Sequence, residues 1–299
     1  MGNLSAVVRG QEADREKDIV PPHAVTLEPR APVQPFLRWA GGKRQIVDEL
    51  LLRLPSDINK RLYREPFLGA GALFFALRPA KAILSDANED LIRCYEFVRK
   101  DWSGVARYLR YHATRTSKTH YYEVRKRYNE SGFSAAQAAR FVYLNKTCFN
   151  GIFRVNRNGQ FNVPYGWKEP PAIPGARELQ LIAAALENAT IRAASFERML
   201  SPVSPNDFLF LDPPYPPLNK TAYFNHYVIG RFNKIDQERL ATWVRKVHNK
   251  GCPFIMTNAN TDEIRFLYRG FRISRLPVTR FVTCKAKREL VRELVITNY

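Results

Sequence analysis

Five short apolar runs constrain this chain more than any other feature: Leu62 to Phe67, Ala82 to Asp86, Ile191 to Ser195, Phe208 to Asp212 and Pro253 to Asn258. They are continuous more than alternating, the pattern of a strand covered on both faces. Such a sheet needs helices above and below it. The amphipathic stretches Ala72 to Leu77, Asn88 to Val98, Asp236 to His248 and Asp262 to Tyr268 alternate with the runs and supply them. Strand and helix in alternation predict an α/β fold built on a doubly wound, Rossmann-like sheet. Phe271 to Leu276 and Leu290 to Thr297 are expected to close one sheet edge as a hairpin. A length of 299 residues accommodates either one large domain with an insertion or two domains.

Composition narrows the class further. With 45% hydrophobic and 25% charged residues, fibrous and wholly disordered readings are excluded. The chain has neither a stretch apolar and long enough to span a membrane nor a secretory leader, so a cytoplasmic protein is expected. Cys94, Cys148, Cys252 and Cys284 are too far apart for a close metal-ligand pair, and no metal is expected. The net charge of +19 attracts polyanions and favours nucleic acid as partner over a membrane surface.

That charge is unevenly placed. Residues 1–34 are Pro-rich and nearly neutral, and are read as a flexible tail. Residues 93–168 carry fifteen Lys or Arg against four acids. Their apolar spacing is helical over Val105 to Tyr111, Tyr121 to Tyr128 and Ala135 to Leu144. The end of this stretch differs: Ile152 to Asn156 and Gln160 to Val163 flank Arg157-Asn158-Gly159, a hairpin signal. A basic helical module ending in a basic hairpin is therefore predicted as an insertion over 91–169, between the halves 35–90 and 170–299 of the sheet domain.

Open α/β sheets bind ligands outside the carboxyl ends of their strands, and three signals fall there. Phe67-Leu68-Gly69-Ala70-Gly71 lets a strand turn into a helix with backbone close to a ligand, although Phe74 stands where a dinucleotide fingerprint has its third glycine. Asp86 ends the next run and suits a ribose diol, or else caps the following helix. Asp212-Pro213-Pro214-Tyr215 follows the most apolar run. Its two prolines stiffen a turn that presents a carboxylate, a backbone carbonyl and an aromatic face together. Such a set suits a planar base with an exocyclic amine: the acceptors take its hydrogens, and a ring stacked on Tyr215 is fixed in plane.

With Phe36-Leu37-Arg38-Trp39-Ala40-Gly41-Gly42-Lys43, these motifs resemble the Dam-type, D12 class DNA adenine-N6 methyltransferases. The resemblance runs on through Tyr143-Leu144-Asn145-Lys146, Phe149-Asn150-Gly151, Gly159-Gln160-Phe161-Asn162-Val163-Pro164-Tyr165-Gly166 and Thr257-Asn258 to the C-terminus. It implies that Trp39, Lys43, Phe67, Gly69, Gly71, Asp86 and Asp212 bind S-adenosylmethionine. Gly41-Gly42-Lys43-Arg44 lacks the spacing and the Ser or Thr of an ATP-binding P-loop. The insertion takes the place of the family's target-recognition domain. Phe149, Asn150, Ile152, Arg154 and Pro164 match positions that relatives place in the DNA major groove. Arg154 is suited to a bidentate guanine contact, Lys146 and Arg157 to phosphates.

Two departures touch specificity. Arg38 replaces a lysine common among readers of GATC, and Trp167-Lys168 replaces an arginine and an aromatic residue. A GATC-like site is expected, with Trp167 either a wedge or a packed ring. Lys285, Lys287 and Arg288 are expected to touch the DNA backbone. The implied reaction is transfer of methyl to adenine N6 in double-stranded DNA, with the base flipped, S-adenosylhomocysteine as product and neither metal nor covalent intermediate. Asp212, Pro213, Pro214 and Tyr215 form the catalytic corner. A monomer, with a restriction endonuclease as companion, completes the expectation. Cytosine N4, structured RNA and a noncatalytic DNA-binding role are the rivals.

Overall fold

The computed structural model describes residues 33–166, 172–216, 232–281 and 288–299. Residues 1–32 of the expected tail, Trp167, Lys168, Lys285 and Lys287 lie outside the described residues, as does the side chain of Arg288, whereas Val33, at the end of that expected tail, is buried in the core. Seven strands form one sheet: β1 (Leu62–Glu65), β2 (Ala82–Asp86), β3 (Ala189–Ala193), β4 (Asp207–Leu211), β5 (Phe254–Ala259), β6 (Arg272–Phe281) and β7 (Arg288–Thr297). Their order is β3-β2-β1-β4-β5-β7-β6. The first five run parallel, and β7 runs antiparallel between β5 and β6. The order reverses between β1 and β4, whose carboxyl ends carry the glycine turn and the Asp212 corner. A crevice opens at such a switch point because the chain leaves the two strands in opposite directions.

Burial explains why the runs became strands. Every residue of β4 and β5 is buried, with successive side chains entering opposite layers. Phe208, Phe210 and Ile255 join one core, and Leu209, Leu211, Phe254 and Met256 the other. Helices α1 (Val47–Leu51), α2 (Ala72–Leu77), α3 (Glu89–Ala113), α4 (Lys118–Glu130), α5 (Ala135–Thr147) and α6 (Ala176–Leu186) contribute to the first core. Helices α7 (Phe196–Leu200), α8 (Lys234–Asn249) and α9 (Asp262–Leu267) contribute to the second.

Some boundaries differ from expectation. The third strand lies two residues earlier than Ile191 to Ser195, because parallel pairing sets Ala82 opposite Ala189 and Asp86 opposite Ala193. The closing hairpin is longer than its apolar pattern, as the backbone ladder continues through alternating charged positions. The separate stretches Asn88 to Val98 and Val105 to Tyr111 form a single helix, α3, kinked at Asp101. There the Asp101 carboxylate takes the Gly104 N–H at 2.9 Å and starts a second helical segment in the manner of an N-cap.

α5 packs along α3, and one apolar core continues from the sheet through both helices to Phe161 and Val163. The segment after α5 follows the path of a hairpin without a continuous ladder. Only the bridges Val155–Phe161 and Cys148–Tyr165 form. Side chains of α4 take backbone groups a ladder would have used: Tyr121 donates to the Val163 carbonyl at 2.8 Å, and Asn129 exchanges bonds with both backbone groups of Phe161. The loop is the three-residue kind, with Gly159 at φ 76° and Asn156 Oδ1 accepting from the N–H groups of Asn158 and Gln160.

Candidate active site

The glycine turn leaves β1 with Gly69 at φ 47° and Gly71 at φ 67°, backbone that strains an L side chain. Space is restricted as well, since a Cβ on Gly69 would lie 2.9 Å from Trp39 Cδ1. Asp86, at the end of β2, closes the other side by accepting the Gly69 N–H on Oδ2 at 3.0 Å and the Asn88 N–H on Oδ1 at 2.9 Å. Asn88, not Asp86, caps α3, with its side chain accepting from Leu91 N–H. Burial raises the Asp86 carboxyl above its ordinary range, and the backbone N–H groups of Asn88, Gly69 and Ala87 oppose the rise.

Asp212 begins the proline corner immediately after β4. Lys43 Nζ lies 2.8 Å from its Oδ1, with the lysine side chain 5% and the aspartate 17% exposed. Thr257 Oγ1, on β5, donates to the same oxygen at 2.7 Å. Lys43 also bonds the Gly41 carbonyl and lies 4.7 Å from the centroid of the Tyr215 ring. Burial pushes the Asp212 carboxyl up, while the Lys43 charge and the bonds from Lys43 and Thr257 hold it down. The Tyr215 phenol donates to Glu293 Oε2 on β7 at 2.8 Å, and burial with the nearby Asp212 and Glu293 carboxylates keeps it neutral. Pro213 is buried and Pro214 exposed. Gln237 of α8 donates to the Pro214 carbonyl at 2.8 Å and is itself held by Asn258 at 3.2 Å.

Trp39 stacks on Phe153 at 5.9 Å between centroids, so it touches both the glycine turn and the segment after α5. Phe67 stacks on Phe196 at 5.7 Å, in the opposite layer. Asn145 joins the N-terminal segment to the hairpin: its Oδ1 accepts from Arg38 N–H at 2.8 Å, and its Nδ2 donates to the carbonyls of Arg38 at 2.7 Å and Gly151 at 3.3 Å. The exposed Arg38 side chain lies against Gly151. Phe149, Asn150, Arg154, Arg157 and Pro164 are exposed, with the Phe149 N–H bonded to the Pro164 carbonyl at 2.9 Å. Ile152 and Lys146 are half-buried, and burial lowers the Lys146 ammonium. Arg154 Nε is braced by Asn162 Oδ1 at 2.8 Å.

Sequence reasoning brought Lys43, Gly69, Asp86, Asp212 and Tyr215 to one end of the sheet but assigned nothing to Glu65, Thr257, Gln237 or Glu293. Glu65, 1% exposed at the end of β1, accepts from Tyr63 at 2.8 Å, and burial raises its carboxyl far above the ordinary range. Strand parity held a signal. Glu293 shares a face with Val291 and Val295, and a carboxylate on an apolar face needs a partner inside.

An open α/β sheet with a glycine turn, an acid after the next strand and an anchored Asp-Pro-Pro-Tyr corner at its switch point defines a methyltransferase-like class. Residues 39–282 match the family of D12 class N6 adenine-specific DNA methyltransferases, and the chain belongs to it. It is accordingly a site-specific, adenine-specific DNA methyltransferase. The type II methyltransferase M.MjaIII of Methanocaldococcus jannaschii is 38% identical, over 89% of this chain and 99% of its own length. The type II methyltransferase M1.LlaDCHI of Lactococcus lactis subsp. cremoris is 34% identical over 89% and 96%. The DNA adenine methylase of Escherichia coli K12 is 32% identical over 83% and 88%.

Proposed function

We propose that the chain methylates adenine N6 at a short, GATC-like site in double-stranded DNA, drawing on S-adenosylmethionine and acting on a flipped base. The observation that carries the reading is the anchoring of Asp212: Lys43 and Thr257 both hold Oδ1, which aims Oδ2 as the acceptor for one amine hydrogen. With the Pro214 carbonyl engaged by Gln237, the Pro213 carbonyl is the second acceptor. Together they draw the nitrogen lone pair out of conjugation with the ring, and Tyr215 holds the ring plane. Burial raises the Asp212 carboxyl, and the Lys43 charge opposes that rise and favours the ionised form.

The residues present fit the cofactor. Gly69 and Gly71 leave a cradle where a Cβ on Gly69 would strike Trp39, Asp86 offers further lone pairs to a ribose diol, and Trp39 and Phe67 supply aromatic surface. The cofactor, when bound, supplies an electrophilic methyl and departs as S-adenosylhomocysteine. The segment 91–169 acts as target-recognition domain, with Arg154 at a guanine, Phe149, Asn150, Ile152 and Pro164 in the groove, and Arg38, Lys146 and Arg157 beside it. The names of the two type II relatives support a companion restriction endonuclease.

To test the reading, DNA is incubated with the protein and methyl-labelled S-adenosylmethionine, then digested to nucleosides. Label in N6-methyladenosine of the deoxy series is expected. Label confined to N4-methylcytosine, or absent from DNA that the protein binds, defeats it.

A further inference from the structure

We propose that Glu293 is a positioning residue for methyl transfer, pinning the Tyr215 ring from β7, two strands along the sheet from β4. The inference rests on the catalytic reading of the proline corner and names a group beyond it. Glu293 is 4% exposed and lies on the strand between β5 and β6, paired with Ala259 on one side and Leu276 on the other. Its backbone is thus held on both edges, and its Oε2 receives the Tyr215 phenol at 2.8 Å. A carboxylate in such a place is costly to desolvate, and a short bond from a buried phenol offsets part of that cost.

The corner explains why the bond matters for chemistry. Two prolines limit the backbone leading into Tyr215, but the ring still turns about its own side-chain torsions. Anchoring the hydroxyl removes that freedom at the other end. Thr257 reaches both the Asp212 carboxylate, at 2.7 Å, and the Tyr215 phenol, so acceptor and ring are referred to one strand. Lys43, Asp212, Thr257, Tyr215 and Glu293 form a polar cluster that runs from the end of β4 past β5 to β7. A base stacked on a ring free to tilt would swing its amine away from Asp212. Glu293 touches no reacting atom in this scheme and acts only through Tyr215.

The test is a double-mutant cycle with Glu293→Leu, Tyr215→Phe and their combination, alongside Glu293→Gln. Single-turnover transfer from labelled S-adenosylmethionine is measured on plasmid DNA that the wild-type protein methylates, with KM for the cofactor in parallel. Glu293→Leu is expected to slow transfer about 10- to 100-fold while KM for the cofactor changes little. Glu293→Gln, whose amide oxygen still accepts from the phenol, recovers most of the rate. In the Tyr215→Phe background the leucine adds no further loss. With 2-aminopurine at the target position, emission from the bound duplex rises in Glu293→Leu above wild type, because the everted base stacks less firmly. Independent, multiplying losses in the cycle overturn the proposal, as does a wild-type rate for Tyr215→Phe, which deletes the same bond even if the leucine variant fails to fold. Failure of the wild-type protein to make N6-methyladenine removes the catalytic reading itself, a result distinct from either.

Discussion

Asp212 carries two opposed influences, burial that favours its neutral form and Lys43 that favours its charge. Because an ionised carboxylate is the better acceptor, activity is expected to fall as pH drops through the Asp212 pKa. Removing Lys43 takes away the group that lowers this pKa, so Lys43→Gln moves the acidic limb of the pH–rate profile to higher pH. A limb that stays in place in single-turnover assays would count against the role given to Lys43. Asp212→Asn is expected to lose 100-fold or more in transfer, on the order seen for loss of one pre-organised polar group, while DNA affinity changes only a few-fold. Glu65 presents the opposite case. Its folded pKa lies above the unfolded one, so its neutral form supports folding at low pH and that contribution is lost as pH rises through the folded value. Glu65→Gln keeps a neutral polar group there, and its melting temperature is expected to decline less than wild type between pH 6 and 9.

Among the elements, the hairpin segment and the N-terminal segment meet through one side chain. Asn145 is 4% exposed and serves one N–H and two carbonyls on two separate segments. Asn145→Ala leaves buried backbone groups of Arg38 and Gly151 short of a partner and should destabilise by about 2–4 kcal/mol, read from denaturant melts. Gly69→Ala tests the turn after β1. The added methyl is strained at positive φ and strikes Trp39, so KM for S-adenosylmethionine should rise about ten-fold or more, with DNA affinity little changed. The polar residues of the resemblance string Tyr143-Leu144-Asn145-Lys146 were visible in the chain, but the bonds of Asn145 were not. Its partners lie 107 residues away for Arg38 and 6 for Gly151, and only the packing of α5 against both segments defines them.

For the molecule as a whole, charge and histidine pairing set the response to solution conditions. The chain carries +19, so affinity for duplex DNA should fall steeply and linearly in log–log form as salt rises. In the basic helices, His112 Nδ1 lies 3.1 Å from His120 Nε2, and burial with neighbouring positive charge lowers His112 to about 4. The unfolded chain then binds more protons than the folded one between about 4 and its ordinary 6.5. Stability is therefore full above this window and is lost as pH falls through it, by about 1–2 kcal/mol once solvent screening is allowed for. Thermal melts at pH 7.5 and 5 should show the drop in wild type and a smaller one in His112→Gln.

The apolar runs and the stretches between them determined the sheet class, the strand ends where the glycine turn and the proline corner fall, and the helical nature of the basic stretch, because hydrophobic periodicity and proline or glycine stiffness are local properties. Local pattern also held the motifs Phe67 to Gly71, Asp86 and Asp212 to Tyr215, whose chemistry follows from residue type and order. Strand order was not local: β1 lies beside β4 though 143 residues separate Arg64 from its partner Asp207, and that adjacency alone brings the glycine turn and the Asp212 corner together. The partners of the corner were settled in the same way. Thr257 and Glu293 reach Asp212 and Tyr215 because β5 lies next to β4, and β7 next to β5, in a register that turns both side chains to one face, and register is set by the packed sheet rather than by any segment in isolation.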